Sequence, residues 1–117
     1  MKRKSDPRHQ NRIKIVQELF TWQFNNLSKV SPQTKKIISE LDKIDPIITK
    51  CAPSRPIRQI NKIDLSILRL SVFELIIEKD APFKVIIDEA IELGKEFGSD
   101  SSSNFINGVL GQLMKTK

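Results

Sequence analysis

The stretch from about Lys62 to Glu78 constrains the fold more than any other part of the chain. Ile63, Leu65, Ile67, Leu68, Leu70, Val72, Phe73, Leu75 and Ile76 put apolar side chains on most sides of one helix. A helix of that kind must be surrounded, because any uncovered side would hold apolar surface in water. It predicts a central helix with the other elements packed around it. At 117 residues the chain fits a single domain, able to bury roughly two-thirds of its unfolded surface. The wrapping elements must therefore come from the remaining periodicities.

The first begins at Asp6, a capping residue, and Pro7, which fits the first helical position because its missing N–H would be unbonded there anyway. Ile13, Val16, Phe20, Phe24 and Leu27 recur at three- and four-residue steps and mark a buried stripe. Arg8 and Arg12 fall to one side of it, within reach of a ligand, and Asn25, Asn26 and Ser28 form the exit. Ser31 and Pro32 open a second helix with Ile37, Leu41, Ile44, Ile48 and Cys51 on one face. Pro46 is expected to kink it or end it early. The segment CAPSRP (Cys51–Pro56) is the main break.

After the central helix, a fourth starts near Pro82. Its spacing turns Phe83, Ile87, Ala90, Ile91, Gly94 and Phe97 inward and Glu89 and Glu92 outward, with Gly98 as its stop. The serines Ser101–Ser103 cap a last helix that packs through Phe105, Val109, Leu110 and Leu113. Asn107-Gly108 lies inside that helical stripe with no strand pattern around it, so Gly108 is read as a close approach of another backbone. The expectation is all-α, with about five main helices in one domain spanning residues 1–117. Its N-terminal helical half covers about 7–52 and its C-terminal half about 57–115.

Charge is placed unevenly. Lys2, Arg3, Lys4, Arg8, Arg12 and Lys14 face only Asp6 within the first 14 residues, and these account for nearly all of the formal net charge of +6. Residues 70–100 carry eight acids against Lys79, Lys84 and Lys95. One end suits phosphates and another surface suits a basic protein.

Enzyme chemistry finds little support. His9 is the only histidine, no Ser or Cys has a partner base by spacing, and neither a phosphate loop nor a metal-ligand cluster is present. Asp88 and Glu89 are adjacent, so they point about 100° apart on a helix and make poor acid/base partners. Cys51 is single, which excludes a disulfide framework. No apolar run approaches the roughly 20 residues of a membrane span, and none follows the basic start as in a signal peptide. No cofactor or metal is expected, and the plain setting is cytoplasmic. Binding remains: basic residues for phosphates, with Phe20, Trp22 and Phe105 as candidates for base stacking. Because Phe20 and Phe105 fall on apolar stripes, a core role competes with stacking at both.

Three blocks, D-x-x-I-L-R-L (Asp64–Leu70), A-P-x-x-V-x-x-x-E-A-I-E-L-x-K-x-F-G (Ala81–Gly98) and F-I-N-G-V-L (Phe105–Leu110), occur in order with short gaps. Gln17, Leu19, Phe20, Trp22 and Gln23 complete a Q-x-L-[FY]-x-W-Q pattern. Together these resemble the transcription antitermination family NusB. The resemblance implies two small packed helical subdomains. It implies an RNA site in which Arg8, His9, Gln10 and Arg12 hold arginine-rich positions beside Phe20, Asn104 and Phe105, to which the charge of the basic start adds Lys2, Arg3 and Lys4. The ligand it implies is boxA-like single-stranded RNA, and the protein partner is NusE, a small-subunit ribosomal protein. The complex would act on RNA polymerase indirectly.

NusE is basic, so Glu74, Glu78, Asp80, Asp88 and Glu92 are its expected docking residues, on a monomer or homodimer. The chain departs from the family pattern at His9 and Gln10, where arginines are usual, and at Arg55, where tryptophan is frequent. It is also shorter between Trp22 and Ile44-Asp45. Two other readings stay open: an RNA-binding module of a ribosomal RNA methyltransferase, and a dimeric scaffold that has lost RNA binding.

Overall fold

The computed structural model describes residues 6–116, which form six α-helices, a short 3₁₀ turn and a π-helical turn, with no strand among them. In chain order the helices are α1 (Pro7–Phe24), α2 (Pro32–Ser39), α3 (Leu41–Cys51), α4 (Lys62–Val72), α5 (Phe83–Phe97) and α6 (Ser102–Thr116). Ile57–Gln59 makes the 3₁₀ turn, and α4 runs directly into the π turn Phe73–Glu78.

The central helix is where its composition demands. Every residue of α4 from Asp64 to Val72 is buried, and α1, α3, α5 and α6 all pack against it. Asn61 starts it by accepting the backbone N–H of Ile63 at 2.8 Å and of Asp64 at 3.4 Å. Lys79 ends the π turn in the left-handed conformation, φ 57°, with its N–H on Glu74 O at 2.9 Å. One buried apolar cluster runs through both halves of the chain, from Ile15 to Leu113.

Several inferred faces are turned. The buried residues of α1 are His9, Ile15, Val16 and Leu19, whereas Phe24 is 64% and Leu27 92% exposed. Counting only apolar residues pulled the stripe toward Phe20 and Phe24, because a histidine and an arginine occupy part of the true inner face. The second helix is broken at Glu40, where ψ of 8° leaves the helical range, and Pro46 sits inside α3 without ending it.

On α5 the inner residues are Ile86, Glu89, Ala90, Leu93 and Gly94, so Glu89 points inward and Phe83 and Phe97 are exposed. The close backbone approach lies at Gly94, where a Cβ would meet Ile106 Cδ1 at 3.0 Å and Ser103 Cα at 3.3 Å. Gly108 faces open space. Gly98 does end α5, but with φ −93°. Its need for glycine is spatial, since a Cβ would stand 2.3 Å from Ser102 Oγ.

Candidate nucleic-acid interface

Two regions hold the polar chemistry. The first is interior. Asp6 Oδ1 accepts Arg8 N at 2.9 Å and starts α1, which turns His9 and Arg12 toward the π turn and α5. His9 is buried with Nδ1 2.9 Å from Glu89 Oε1 and Nε2 3.4 Å from Glu96 Oε1. Both ring nitrogens face carboxylates, so the imidazolium, donating from each, is the form that fits. The Glu89 hydrogen bond raises the His9 pKa above its usual 6.5, against the opposing effect of burial.

Arg12 makes a two-pronged bond to Glu74, Nη2–Oε1 2.7 Å and Nε–Oε2 2.9 Å, and reaches Glu89 Oε1 at 3.4 Å. Paired forks of this kind are short and directional. Arg12 and Glu74 side chains are each 11% exposed. These contacts turn His9, Arg12 and Glu74 inward: His9 spends its charge on Glu89 and Glu96, and Arg12 on Glu74 and Glu89. Arg8 stays outside, its side chain 85% exposed and 3.4 Å from Asp6.

A second interior carboxylate, Glu18, ties α1 to α2 by accepting Ser31 N at 3.1 Å, Ser31 Oγ at 2.8 Å and Thr34 Oγ1 at 2.6 Å. Burial alone would raise its pKa, but the bonds from Thr34 and Ser31 outweigh that and hold it below the usual carboxylate range. Asp45 similarly clamps α3 to α4 by accepting Arg69 Nε at 3.0 Å and Nη2 at 2.9 Å.

The other region is outward. Arg55, in the linker before α4, stacks its guanidinium 4.4 Å from the centroid of the half-buried Phe105 ring. Asn104 beside it is exposed. At the far end of α1, Phe20 and Phe24 meet edge to face, with centroids 5.1 Å apart and planes at 66°. Lys62 Nζ lies 5.5 Å over the Phe24 ring. Gln23 Nε2 donates to Lys62 O and Ser66 Oγ at 2.8 Å each, fastening α1 to the start of α4. Such cation–ring contacts contribute about 0.5–1 kcal/mol at exposed sites.

The inferred RNA residues that stay outside are spread along α1 and at the start of α6. Arg8 and Phe20 are 12 residues apart on α1, which is about 18 Å along the helix axis. Gln10 is exposed near the Arg8 end, and Lys2, Arg3 and Lys4 lie outside the described residues. Glu78, Asp80, Asp88 and Glu92 are exposed. Glu78 is raised above the usual carboxylate pKa by burial, with Glu74 and Asp80 adding repulsion.

Arg55, Phe24 and Lys62 are not among the residues that the sequence assigned to the RNA site. The run of Lys50, Arg55, Arg58 and Lys62 without an acid was a visible signal for two of them. Among the described residues, no group of three or more His, Cys, Asp or Glu side chains is placed to hold a metal ion. No helix of the described residues is long and apolar enough to cross a membrane.

The class the structure defines is a small all-helical bundle around one apolar helix, with ring-and-cation pairs on its outside and several of its carboxylates engaged in internal ties. The comparisons narrow that class. The NusB family model matches residues 32–115, and the chain belongs to the NusB family. The transcription antitermination protein NusB of Lachnoclostridium phytofermentans is 34% identical over 107 residues, covering 85% of this chain and 81% of that protein. Its counterpart in Dehalococcoides mccartyi is 46% identical over 82 residues, covering 70% of this chain and 57% of that protein.

The chain spans 57% and 63% of the length of NusB from two Dehalococcoides mccartyi strains and 49% of that from Chloroflexus aggregans. A crystal structure of the T. maritima NusB superposes with a TM-score of 0.82 at 28% identity, covering 94% of this chain and 92% of that one. The NusB chain of a solved complex of NusB and NusE with double-stranded RNA shares the fold, with a TM-score of 0.78 at 21% identity over 96% of this chain and 100% of that one.

Proposed function

We propose that this chain is a transcription antitermination factor that binds boxA-like single-stranded RNA together with NusE, acting by assembly and not by covalent chemistry. Support comes from relatives that are antitermination proteins, and from a NusB of the same fold solved with NusE and RNA. The observation in this chain that carries the reading is the Arg55–Phe105 pair beside exposed Asn104, at the start of α6. A ring under a guanidinium is a ready platform for a base and its phosphate.

On this reading Phe20, Asn104 and Phe105 contact RNA, with Arg8, Gln10 and the Lys2–Lys4 segment adding phosphate contacts. His9 and Arg12 anchor the start of α1. The basic partner docks on the exposed acids Glu78, Asp80, Asp88 and Glu92. RNA and partner affinities are then coupled through one rigid bundle. The setting that suits this role is the cytoplasm, with RNA polymerase engaged indirectly.

Fluorescence anisotropy of a labelled boxA-like RNA, with a scrambled strand as control and with or without purified NusE, tests the reading. Tighter binding of the boxA-like strand, strengthened by NusE, is the expected result. Equal weak binding of both strands, unaffected by NusE, would overturn it.

A further inference from the structure

We propose that Phe24 and Lys62 form a nucleobase-stacking position for single-stranded RNA, adjoining the Arg55–Phe105 pair across the first turn of α4. The inference rests on the RNA-binding reading above and adds a contact site to it. Phe24 is 64% exposed, yet its ring is braced edge-on by Phe20 at 5.1 Å. The helix end carrying it is fastened to α4 by the Gln23 bonds to Lys62 O and Ser66 Oγ. A base arriving there meets a ring already held in place, so little freedom is lost on stacking. The Lys62 ammonium, 5.5 Å from the ring centroid, stands where an adjacent phosphate would be neutralised.

The segments that carry the pair favour a polyanion. Residues 19–30, which supply both rings of the Phe20–Phe24 pair, contain Lys29 and no carboxylate, and residues 50–63, which supply both Arg55 and Lys62, contain Lys50, Arg55, Arg58 and Lys62 and no carboxylate. Asp64, the next acid along the chain, is buried. It lies within the electrostatic reach of Arg55 and next to Ser102 at the start of α6. The first turn of α4 thus bears both links, Lys62 to the Phe24 ring and Asp64 toward the guanidinium that covers Phe105. Single-stranded nucleic acid, with π-faces and phosphates alternating, suits two ring-and-cation pairs linked through one helical turn.

The test is anisotropy of the labelled boxA-like RNA with the full chain and the variants Phe24→Ala, Phe24→Leu and Leu27→Ala, each checked for an unchanged thermal melt. Loss of one stacked base predicts about tenfold weaker binding for both Phe24 variants and none for Leu27→Ala. Wild-type affinity in Phe24→Ala would overturn the inference while leaving the RNA-binding reading intact. Wild-type affinity in Phe24→Leu alone, or an equal loss at Leu27→Ala, would also overturn it by pointing to a merely apolar contact. No binding by the wild-type protein would remove the functional reading and the inference together.

Discussion

The start of α1 and the start of α4 carry the same kind of residue and use it in opposite ways. His9 and Arg12 point inward, where Glu74, Glu89 and Glu96 take up their charge. Lys62 and Arg55 lie over aromatic rings instead of carboxylates. Positive charge on a basic segment is therefore no guide to a phosphate site until its partners are known. An ion pair inside the fold has already replaced its water with protein, whereas a cation over a ring keeps most of its solvent side.

The largest expected effect breaks the first region. Arg12→Ala leaves Glu74 and Glu89 without their shared cation, and removing one partner of a largely buried pair costs about 3–5 kcal/mol. Urea denaturation measures it, and a change near zero would mean that the network contributes nothing to folding. Next comes the outer region. Phe105→Ala removes a half-buried ring and the seat of Arg55, so about 2 kcal/mol of stability goes, below the usual cost for a fully buried phenylalanine, together with RNA affinity. Unchanged RNA affinity would confine Phe105 to packing.

A third effect is set by pH. Because the folded protein raises the His9 pKa above 6.5, the stabilisation it brings is complete below 6.5 and is lost as pH rises through the raised value. The melting temperature of the wild type is expected to fall over that interval relative to His9→Gln, and parallel profiles would contradict the buried imidazolium. The smallest effect belongs to Arg8→Ala. With its side chain exposed to solvent, stability should stay within about 0.5 kcal/mol of wild type, in contrast to Arg12→Ala.

The central helix could be read from sequence because its apolar residues leave no alternative orientation: whichever way it turns, it must be covered. The same reasoning failed on α1 and α5, where the inner faces are partly ionic. Periodicity assigns charged residues to solvent, so it turned Glu89 outward and missed that His9 and Arg12 lie opposite it. No local signal in the chain announces that residues 9, 12, 74, 89 and 96 meet, since the meeting depends on how α1 crosses the π turn and α5. Gly94 and Gly108 make the same point. Each is a helical glycine by pattern, and only the packing of α5 on α6 shows which one a neighbour requires. Of the residues proposed to contact RNA, Asn104 came only through the family resemblance and Phe105 also through its aromatic character, while Phe24 was placed on the buried α1 stripe and nothing local to Lys62 says that it meets that ring.

Salt dependence of RNA binding tests the contrast between the two regions most directly. The slope of log affinity against log salt for a boxA-like strand should fall by about 0.7 in Lys62→Gln, one phosphate contact on a single strand. It should keep its wild-type value in Arg12→Gln, measured at a temperature where that variant remains folded. An unchanged slope in Lys62→Gln with a reduced one in Arg12→Gln would contradict the account, placing the phosphate contact on the cation that the fold encloses.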